Sequence, residues 1–235
     1  MSITIYTAAI GDYDGPIAQY KIHDHETYRF RYPFHRESLG WRHTMHPAWI
    51  HSNPRRTQRY CKLVSGPELP GDVKIYMDAN MALKMDPGAI VERVLPAGVD
   101  LALLKHHERN CLFAEARECI RLGYGDEAEI LKQMEAYGDH PHNFGLWACG
   151  FMVYRNNVAV RNLFADWWTE YRRNSERDQI AFPYVLRRSH VTVNSIDAHP
   201  WDNPYFRLHA HLKKTADGCY DRAHGADSRH RKHTA

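Results

Sequence analysis

Two hydrophobic patterns alternate along the chain. Short apolar runs rich in β-branched and aromatic residues predict strands, and apolar positions three or four residues apart predict helices. The predicted strands cover residues 3–10, 28–32, 73–77, 100–104, 148–154 and 190–196. The predicted helices cover about 53–65, 86–95, 108–122, 126–138, 157–171 and 175–186. Strands that alternate with helices indicate βαβ units, so we expect an α/β fold with a mostly parallel sheet flanked by helices.

The helix predicted after Asn157 has the clearest apolar stripe. Its apolar residues fall at the i, i+3, i+4, i+7, i+8 and i+11 positions that share one helix face. We therefore expect its two tryptophans to pack in the core rather than to form a platform for a sugar. The stripe consists of Val160, Leu163, Phe164, Trp167, Trp168 and Tyr171.

Composition and charge indicate one globular domain followed by a polar tail. The chain has 235 residues, of which 43% are apolar and 25% charged, and its net charge is +3. Residues 213–235 hold six Lys/Arg and three Asp, so the whole excess lies there, and residues 1–212 are balanced with 25 of each sign. We expect a domain over 1–212 and a disordered tail over 213–235. Without clustered positive charge in the domain, we expect no nucleic-acid partner.

The cysteines and the apolar runs indicate a cytoplasmic protein. Five cysteines, an odd number without a CxxC pair, argue against a disulfide framework and favour a reducing compartment. No apolar run is long enough to span a bilayer, so we expect no transmembrane segment. The first residues lack the basic and apolar regions of a signal peptide.

The segment Asp78-Ala79-Asn80 follows an apolar strand and is a candidate metal site. A carboxylate and an amide oxygen two residues apart can chelate a hard divalent cation, and α/β sheets bind ligands beyond the carboxyl ends of their strands. Both residue types also form turns at strand ends. The D-x-(D/N) pattern is expected by chance in a chain of this composition, and it recurs at Asp12-Tyr13-Asp14. The triplet alone therefore does not decide between these interpretations.

Cations on one helix face form a second candidate site. Arg55, Arg59 and Lys62 are spaced i, i+4 and i+7 after Asn53, so they share a face opposite the apolar stripe. A diphosphate would suit that face, with arginine as a bidentate partner. The alternative is an ordinary solvated face.

Asp178 and Gln179 form a third candidate. A carboxylate in a cleft can act as a general base toward a hydroxyl, or hold that hydroxyl in line. The alternative is a capping box, because Ser175 precedes Asp178 by three residues. Spacing alone leaves the two interpretations equal.

Seventeen histidines raise the question of zinc, with pairs at His106-His107 and His209-Ala210-His211. The sequence has no HExxH, and no histidine pair combines with a cysteine pair at zinc-finger spacing. We therefore expect most histidines to lie on the surface or to be satisfied in the core, with at most one or two functional, and a histidine-rich zinc protein is a minor alternative.

Six ordered segments together carry a family resemblance over roughly residues 3–200. They resemble the glycosyltransferase-like domain family found in bacteria and in plant Golgi proteins linked to mucilage pectin and pollen-sac opening. The segments are IYTAAIGDYD, NPRRTQRYCKL, IYMDANMALKMDP, ALLKHHERNCLFAEARECIRLG, GLWACGFMVYRNN and WWTEYRRNSERDQIAFPYVL.

This resemblance implies a GT-A-like fold with a Rossmann-like sheet, a nucleotide-sugar donor such as a UDP-sugar, a glycan acceptor, and Mn²⁺ or Mg²⁺. By position, Asp78 and Asn80 match the DxD-like motif that holds the metal and the diphosphate. The residues that match donor-binding blocks are Asp12, Asp14, Arg55, Arg59, Lys62, Lys105 and His106. Asp178 and Gln179 match the acidic dyad on the acceptor side, as base or as acceptor-orienting carboxylate.

One departure from the GT-A pattern affects the expected metal site. Asn80 stands where a full DxD motif has its second aspartate, so metal binding should be weaker or need a third ligand. By chain order, His209 or His211 would supply that ligand. Asn80 also favours a second hypothesis, a non-catalytic module that binds nucleotides or glycans with the same fold.

Overall fold

The structure is a computed structural model that describes residues 1–11, 18–19, 25–32, 39–45, 53–214 and 220–222. Two of the predicted donor-binding residues, Asp12 and Asp14, lie outside these residues, as does Cys219.

The strands, in chain order, alternate with helices through most of the described chain. They are β1 (Ile3–Ile10), β2 (Glu26–Tyr32), β3 (His43–Met45), β4 (Val73–Met77), β5 (Met81–Leu83), β6 (Leu101–Lys105), β7 (Trp147–Arg155), β8 (Val193–Ile196), β9 (Phe206–Leu208), β10 (Leu212–Lys214) and β11 (Tyr220–Arg222). The helices are α1 (Pro54–Tyr60), a π-helical continuation (Cys61–Ser65), α2 (Pro87–Val94), α3 (Leu112–Arg121), α4 (Glu127–Ala136), α5 (Val158–Arg173) and α6 (Asp178–Arg187).

Seven strands of the described chain form one central sheet in the order β3-β2-β1-β4-β7-β6-β8. The strand β7 runs antiparallel to both of its neighbours, β4 and β6, and every other pair is parallel. The predicted α/β class with a mostly parallel sheet in a single domain is therefore confirmed. Because only β7 is reversed, the carboxyl ends of the other six strands lie along one edge of the sheet.

Alternate side chains of each central strand enter two different cores, as the two-residue period of a strand requires. In β1, Tyr6 and Ala8 face α1, α5 and α6, whereas Ile3 and Ile5 face α2. The predicted stripe of α5 is buried in the first of these cores, and Trp167 is fully buried. The prediction that these tryptophans belong to the core is confirmed. A third, smaller core joins α3, α4 and α6.

Most predicted helix starts are confirmed by their caps. The Asn53 side chain accepts the N–H of Arg55, and the Asp86 side chain accepts the N–H of Ala89, each before a proline at the first helical position. Two starts differ from the prediction and have no side-chain cap: α6 begins at Asp178 rather than near Ser175, and α3 begins at Leu112 rather than at Glu108. There the His106 ring nitrogen Nδ1 accepts the N–H groups of Glu108 and Arg109, which holds this segment in a turn.

Short strands account for the other differences from the prediction. The sequence predicted none of β3, β5, β9, β10 and β11, since three residues are too few to establish a period. The strands β10 and β11 pair with each other across the predicted boundary, since β10 begins at Leu212 and its other residues, like those of β11, belong to the segment predicted as a tail. The remainder of that segment lies outside the described residues. The domain boundary at residue 212 stays a prediction.

Two further expectations concern thiols and membranes. In the described chain Cys61, Cys111, Cys119 and Cys149 are free and buried. Among the same residues, none of the helices combines the length and the apolar character needed to cross a bilayer.

The close approach of Gly66 to Tyr6 provides a test of the fold. A Cβ on Gly66 would lie 2.1 Å from the Tyr6 ring, which is fully buried and hydrogen-bonded to Tyr154. Gly66 has a φ of −63°, which alanine adopts without backbone strain, so the cost of alanine there comes from the steric clash alone. We expect Gly66→Ala to lower the free energy of unfolding by about 1–3 kcal/mol, measured by urea denaturation.

Gly88→Ala, in the first turn of α2, is the matched control. A Cβ at Gly88 would approach only the Asp86 carboxylate, at 3.0 Å, so we expect a change of less than about 1 kcal/mol. Equal effects at the two glycines would contradict the proposed packing.

Candidate functional site

The candidate site lies where β1, β4 and β6 end, along the carboxyl edge of the sheet. The chain turns at Gly11 with φ of +82°, and a Cβ there would come within 3.2 Å of Pro54. The first turn of α1 therefore lies directly against the end of β1. Asp78 follows the last residue of β4, the next strand in the sheet. In open α/β sheets this edge is where ligands bind.

The Asp78 carboxylate is fixed by two neighbours. The Tyr76 hydroxyl, itself accepting a hydrogen bond from Gln58 Nε2 at 2.6 Å, donates to Asp78 Oδ1 at 2.7 Å. The second oxygen, Oδ2, lies against Gly150 of β7, where any Cβ would come within 2.7 Å of it. The Asp78 N–H also donates to the Gly150 carbonyl. Gly150 thus leaves room for the carboxylate at a position where a side chain would displace it.

Asn80 is occupied by contacts with the chain after β9. Its Nδ2 donates to the His209 carbonyl at 2.8 Å, and its own carbonyl accepts the His209 N–H at 2.9 Å. An aspartate could not donate the first of these bonds. The Asn80 amide therefore connects Asp78-Ala79-Asn80 to the β5–β9 pair, which places the backbone of His209 beside the triplet. His211 is exposed two residues further on.

Asp178 lies between two of the predicted cations. Lys62 Nζ donates to Asp178 Oδ2 at 2.9 Å, and Arg59 Nε lies 2.7 Å from the same oxygen as an ion pair that is not aligned for a hydrogen bond. The Lys62 side chain is 1% exposed and that of Arg59 22%. Arg59 is thus the member of this group that reaches the surface.

The π-helical segment explains why Lys62 is buried. Its extra residue per turn rotates the chain after Tyr60, and the Tyr6 hydroxyl donates to the Lys62 carbonyl at 2.8 Å. The Lys62 ammonium then lies over the rings of Tyr76 and Trp167, 5.1 and 5.3 Å from their centroids. Helical periodicity predicted a surface cation here, and no sequence signal marked the change of helix type.

The charge state of Asp178 is set by opposing effects. Burial would raise the pKa of its carboxyl, but the charges of Arg59 and Lys62, and the Lys62 hydrogen bond, outweigh burial and hold that pKa well below its usual range. Burial would likewise lower the pKa of Arg59, and the carboxylates of Asp178 and Asp78 raise it. Both groups are therefore charged at neutral pH.

Arg55 continues this basic face toward the surface. It is 52% exposed and lies 4.0 Å from Glu176, whereas the neighbouring Arg56 makes a closer ion pair with Glu176, at 2.9 Å. Sequence reasoning missed Arg56 and Glu176, together with the Tyr76 and Gly150 contacts of Asp78. The sequence offered one signal for the Tyr76 contact, since a residue two positions before Asp78 lies on the same face of the strand.

The capping alternative for Asp178 does not describe its contacts. Asp178 is the first residue of α6, whose N-cap residue, Arg177, makes no side-chain capping bond. The Ser175 hydroxyl donates instead to Gln133. Gln179, the second residue of the predicted pair, is half-buried and forms no hydrogen bond to another described residue.

The oxygen ligands present suit a hard cation only in part. Among the described residues, no three His, Cys, Asp or Glu side chains gather closely enough to hold a metal ion. Asp78 offers the one carboxylate of the DxD-like segment, and Mg²⁺ is often held by one or two carboxylates plus substrate phosphates. The fit therefore requires that a phosphorylated ligand bring the remaining oxygens.

Lys105 and His106 lie away from this group, at the end of β6. They line a cavity of about 300 Å³ together with Arg109, Asn110, Asn143, Phe144, Gly145, Leu146, Trp147 and Ser195. Burial lowers the pKa of His106 and outweighs the nearby Glu115 carboxylate, which raises it, so the ring is neutral at pH 7. The structure thus separates the predicted site residues into an Asp78 group and a cavity group.

A carboxylate at the carboxyl edge of a mostly parallel sheet, with a basic helix beside it, is typical of α/β proteins that bind phosphorylated ligands. A model of the TOD1/MUCI70 glycosyltransferase-like domain family matches residues 35–199, more than half of the chain, and the chain belongs to this family. It is therefore a glycosyltransferase-like domain.

Comparison of structures gives a more distant similarity. The WbbM bifunctional glycosyltransferase, in its apo form, is similar to the chain with a TM-score of 0.43 and 14% sequence identity, over 82% of this chain. The match spans 40% of the length of that protein. No curated protein sequence matches the chain.

The buried pair of Lys62 and Asp178 can be tested by removing one charge. Asp178→Asn leaves the Lys62 ammonium buried without its carboxylate, so we expect a loss of about 3–5 kcal/mol in the free energy of unfolding. In the double variant Lys62→Met/Asp178→Asn the loss should be clearly smaller than the sum of the single losses. Additive losses would show that the two side chains do not interact.

The pH dependence of unfolding gives an independent check. Because the Asp178 pKa is lower in the folded chain, its contribution is complete above the ordinary aspartate pKa of 3.8 and is lost as the pH falls further. The stability difference between the wild type and Asp178→Asn should therefore narrow below that pH. A difference that stays constant in acid would contradict the ion pair.

Proposed function

We propose that this chain transfers a sugar from a nucleotide-sugar donor to a hydroxyl of a glycan acceptor, with the donor diphosphate bound between Asp78 and Arg59. The observation that supports it best is the placement of Asp78 and the partly exposed Arg59 at one sheet edge. The charges of Asp78 and Arg59 both affect the pKa of the buried Cys149 thiol, as do those of Lys62 and Asp178, so these four groups lie close together. A phosphate group reaching this edge would meet a guanidinium suited to bind it.

The local charge balance favours a divalent cation in this reaction. Arg55, Arg56, Arg59 and Lys62 are offset by the carboxylates Asp78, Glu176 and Asp178, which leaves one net positive charge. A diphosphate diester carries one negative charge on each phosphate. The protein alone therefore does not neutralise it, and Mn²⁺ or Mg²⁺ would supply the missing charge. Asp78 would hold this ion, with Asn80, His209 and His211 as further candidate ligands.

When bound, the cation would stabilise the negative charge of the departing nucleoside diphosphate. The residues of the chain carry out the remaining tasks. Arg59 binds the phosphate oxygens, and Arg55 extends the positive face toward solvent. The bond between the sugar C1 and the diphosphate oxygen breaks, and its electron pair leaves with the nucleoside diphosphate. The acceptor hydroxyl oxygen forms a new bond to C1, and its proton passes to solvent water.

Asp178 acts in this proposal through its neighbours. A carboxylate that is shared by two cations, and whose pKa is lowered, is a weak proton acceptor. We therefore assign Asp178 the role of positioning Arg59 toward the phosphate. Gln179, the adjacent half-buried side chain, remains a candidate for contact with the acceptor.

Asn80 supports a second candidate function, a module that binds nucleotide sugars without transferring them. Its amide is committed to the His209 carbonyl, which leaves one carboxylate for the cation. Weak metal binding would suit ligand recognition better than catalysis. An assay of UDP released from a UDP-sugar separates the two functions, because a transferase releases UDP by transfer or hydrolysis and a binding module does not.

The donor site is tested by binding of UDP with and without Mn²⁺ in isothermal titration calorimetry. We expect binding that requires Mn²⁺ and is weakened at least about tenfold in Asp78→Asn. Arg59→Met should weaken UDP binding about tenfold or more, because a charge-assisted hydrogen bond is worth about 1.5–3 kcal/mol.

Asp166→Asn, on the exposed face of α5, is the matched control and should bind UDP as the wild type does. If Asp78→Asn and Asp166→Asn bind UDP equally well, the proposed donor site is wrong. UDP binding without any turnover of UDP-sugars would favour the binding module.

A further inference from the structure

We propose that the cavity at the ends of β6 and β7 is the acceptor subsite, and that it receives a neutral sugar ring of the glycan. This inference rests on the proposed function. It differs from the donor role that the family resemblance implied for Lys105 and His106, because these residues lie in the cavity rather than beside Asp78.

The walls of the cavity are held in place before any ligand binds. The loop between α4 and β7 is hydrogen-bonded to the chain after β6, from Gly145 N–H to the Asn110 carbonyl at 3.0 Å and from His106 N–H to the Leu146 carbonyl at 2.9 Å. Gly145 has φ of +134°, and a Cβ there would lie 2.6 Å from the Trp147 indole. The loop can therefore approach that ring closely only with glycine.

Polar and aromatic groups line the cavity in a combination suited to a sugar. Phe144 and Trp147 pack edge to face, with ring centroids 6.2 Å apart, and Phe144 is 38% exposed. The Ser195 hydroxyl accepts the Trp147 indole N–H at 2.9 Å, which leaves its own proton for a ligand. The Asn110 side chain is exposed and forms no hydrogen bond to another described residue. A sugar offers hydroxyls to such groups and an apolar C–H face to a ring.

The charges around the cavity favour a neutral ligand. Arg109 already donates to Glu115 at 2.8 Å and to Glu108 at 2.9 Å. The Lys105 ammonium lies 3.9 Å from the Asp197 carboxylate. With carboxylates beside both cations and a neutral His106, the cavity has no excess positive charge for an anionic sugar.

Size and position separate this cavity from the donor site. At about 300 Å³ it is at the lower limit of ligand pockets, which span roughly 300–1,000 Å³, so it suits a sugar ring rather than a whole nucleotide sugar. Trp147 lies three residues from Gly150 along β7, and Lys105 pairs with Trp147 on the next strand. Strand geometry then places the cavity on the order of 10–15 Å from Asp78. A sugar extending from a diphosphate at Asp78 can approach an acceptor in the cavity.

The experiment is saturation-transfer NMR on the full chain in the presence of UDP and Mn²⁺. The probes are the methyl glycosides of glucose, galactose and mannose, with methyl glucuronide as the anionic comparison. We expect saturation transfer to at least one neutral glycoside. Asn110→Ala and Phe144→Ala should each weaken that binding roughly fivefold or more and leave UDP binding unchanged.

Two exposed substitutions elsewhere serve as matched controls, Asn162→Ala on α5 and Leu131→Ala on α4. Both should bind the glycoside as the wild type does, and circular dichroism will confirm that all four variants are folded.

Three results would overturn the inference. If UDP binding falls together with glycoside binding in the cavity variants, the cavity belongs to the donor site. If only the glucuronide binds, the ligand is anionic. If no glycoside binds while UDP does, the cavity is not an acceptor subsite and the proposed donor site is unaffected. If the wild type binds neither UDP nor any glycoside, the result counts against the proposed function itself.

Discussion

The buried ion pair between Lys62 and Asp178 is the interaction on which the candidate site depends. It joins the π-helical segment after α1 to the first residue of α6, beneath the carboxyl edge of the sheet. A charge as buried as that of Lys62 is costly unless it is paired and hydrogen-bonded. The pair therefore connects both helices, and Arg59, which shares the same carboxylate, is held partly exposed and close enough to Asp78 to feel its charge.

This arrangement brings the basic face and the DxD-like segment to one edge of the sheet. The carboxylates already present neutralise most of the positive charge there, which is the reason we propose that a diphosphate binds together with a divalent cation. Asn80 contributes in another way, because its amide connects the segment to the backbone of His209. An aspartate at this position would add a negative charge for a metal but lose that bond. The asparagine therefore holds the chain after β9 in position, which an aspartate could not do through the same bond.

The sequence predicted the elements that have a long run of periodic apolar residues or a clear cap. Examples are α5 and the Asn53-Pro54 start of α1, where the pattern and the capping residue are local in the sequence. The family resemblance, and not the spacing of residues along the chain, implied that Asp78 and the α1 cations serve the same donor site. The sequence could not predict that Lys62 is buried, since this depends on the π-helical turn and on a carboxylate 116 residues away. Nor could it separate Lys105 and His106 from the Asp78 group, because that separation follows from β7 lying between β4 and β6.

The proposed donor site is tested most directly by a crystal structure of the chain soaked with UDP and Mn²⁺, with anomalous diffraction used to locate the manganese. We expect an anomalous peak within coordination distance of an Asp78 carboxylate oxygen, with the UDP diphosphate between that peak and the Arg59 guanidinium. Manganese and UDP bound at another place, such as the cavity beside Lys105, would contradict it, as would UDP bound at the sheet edge without contact to Asp78 or Arg59.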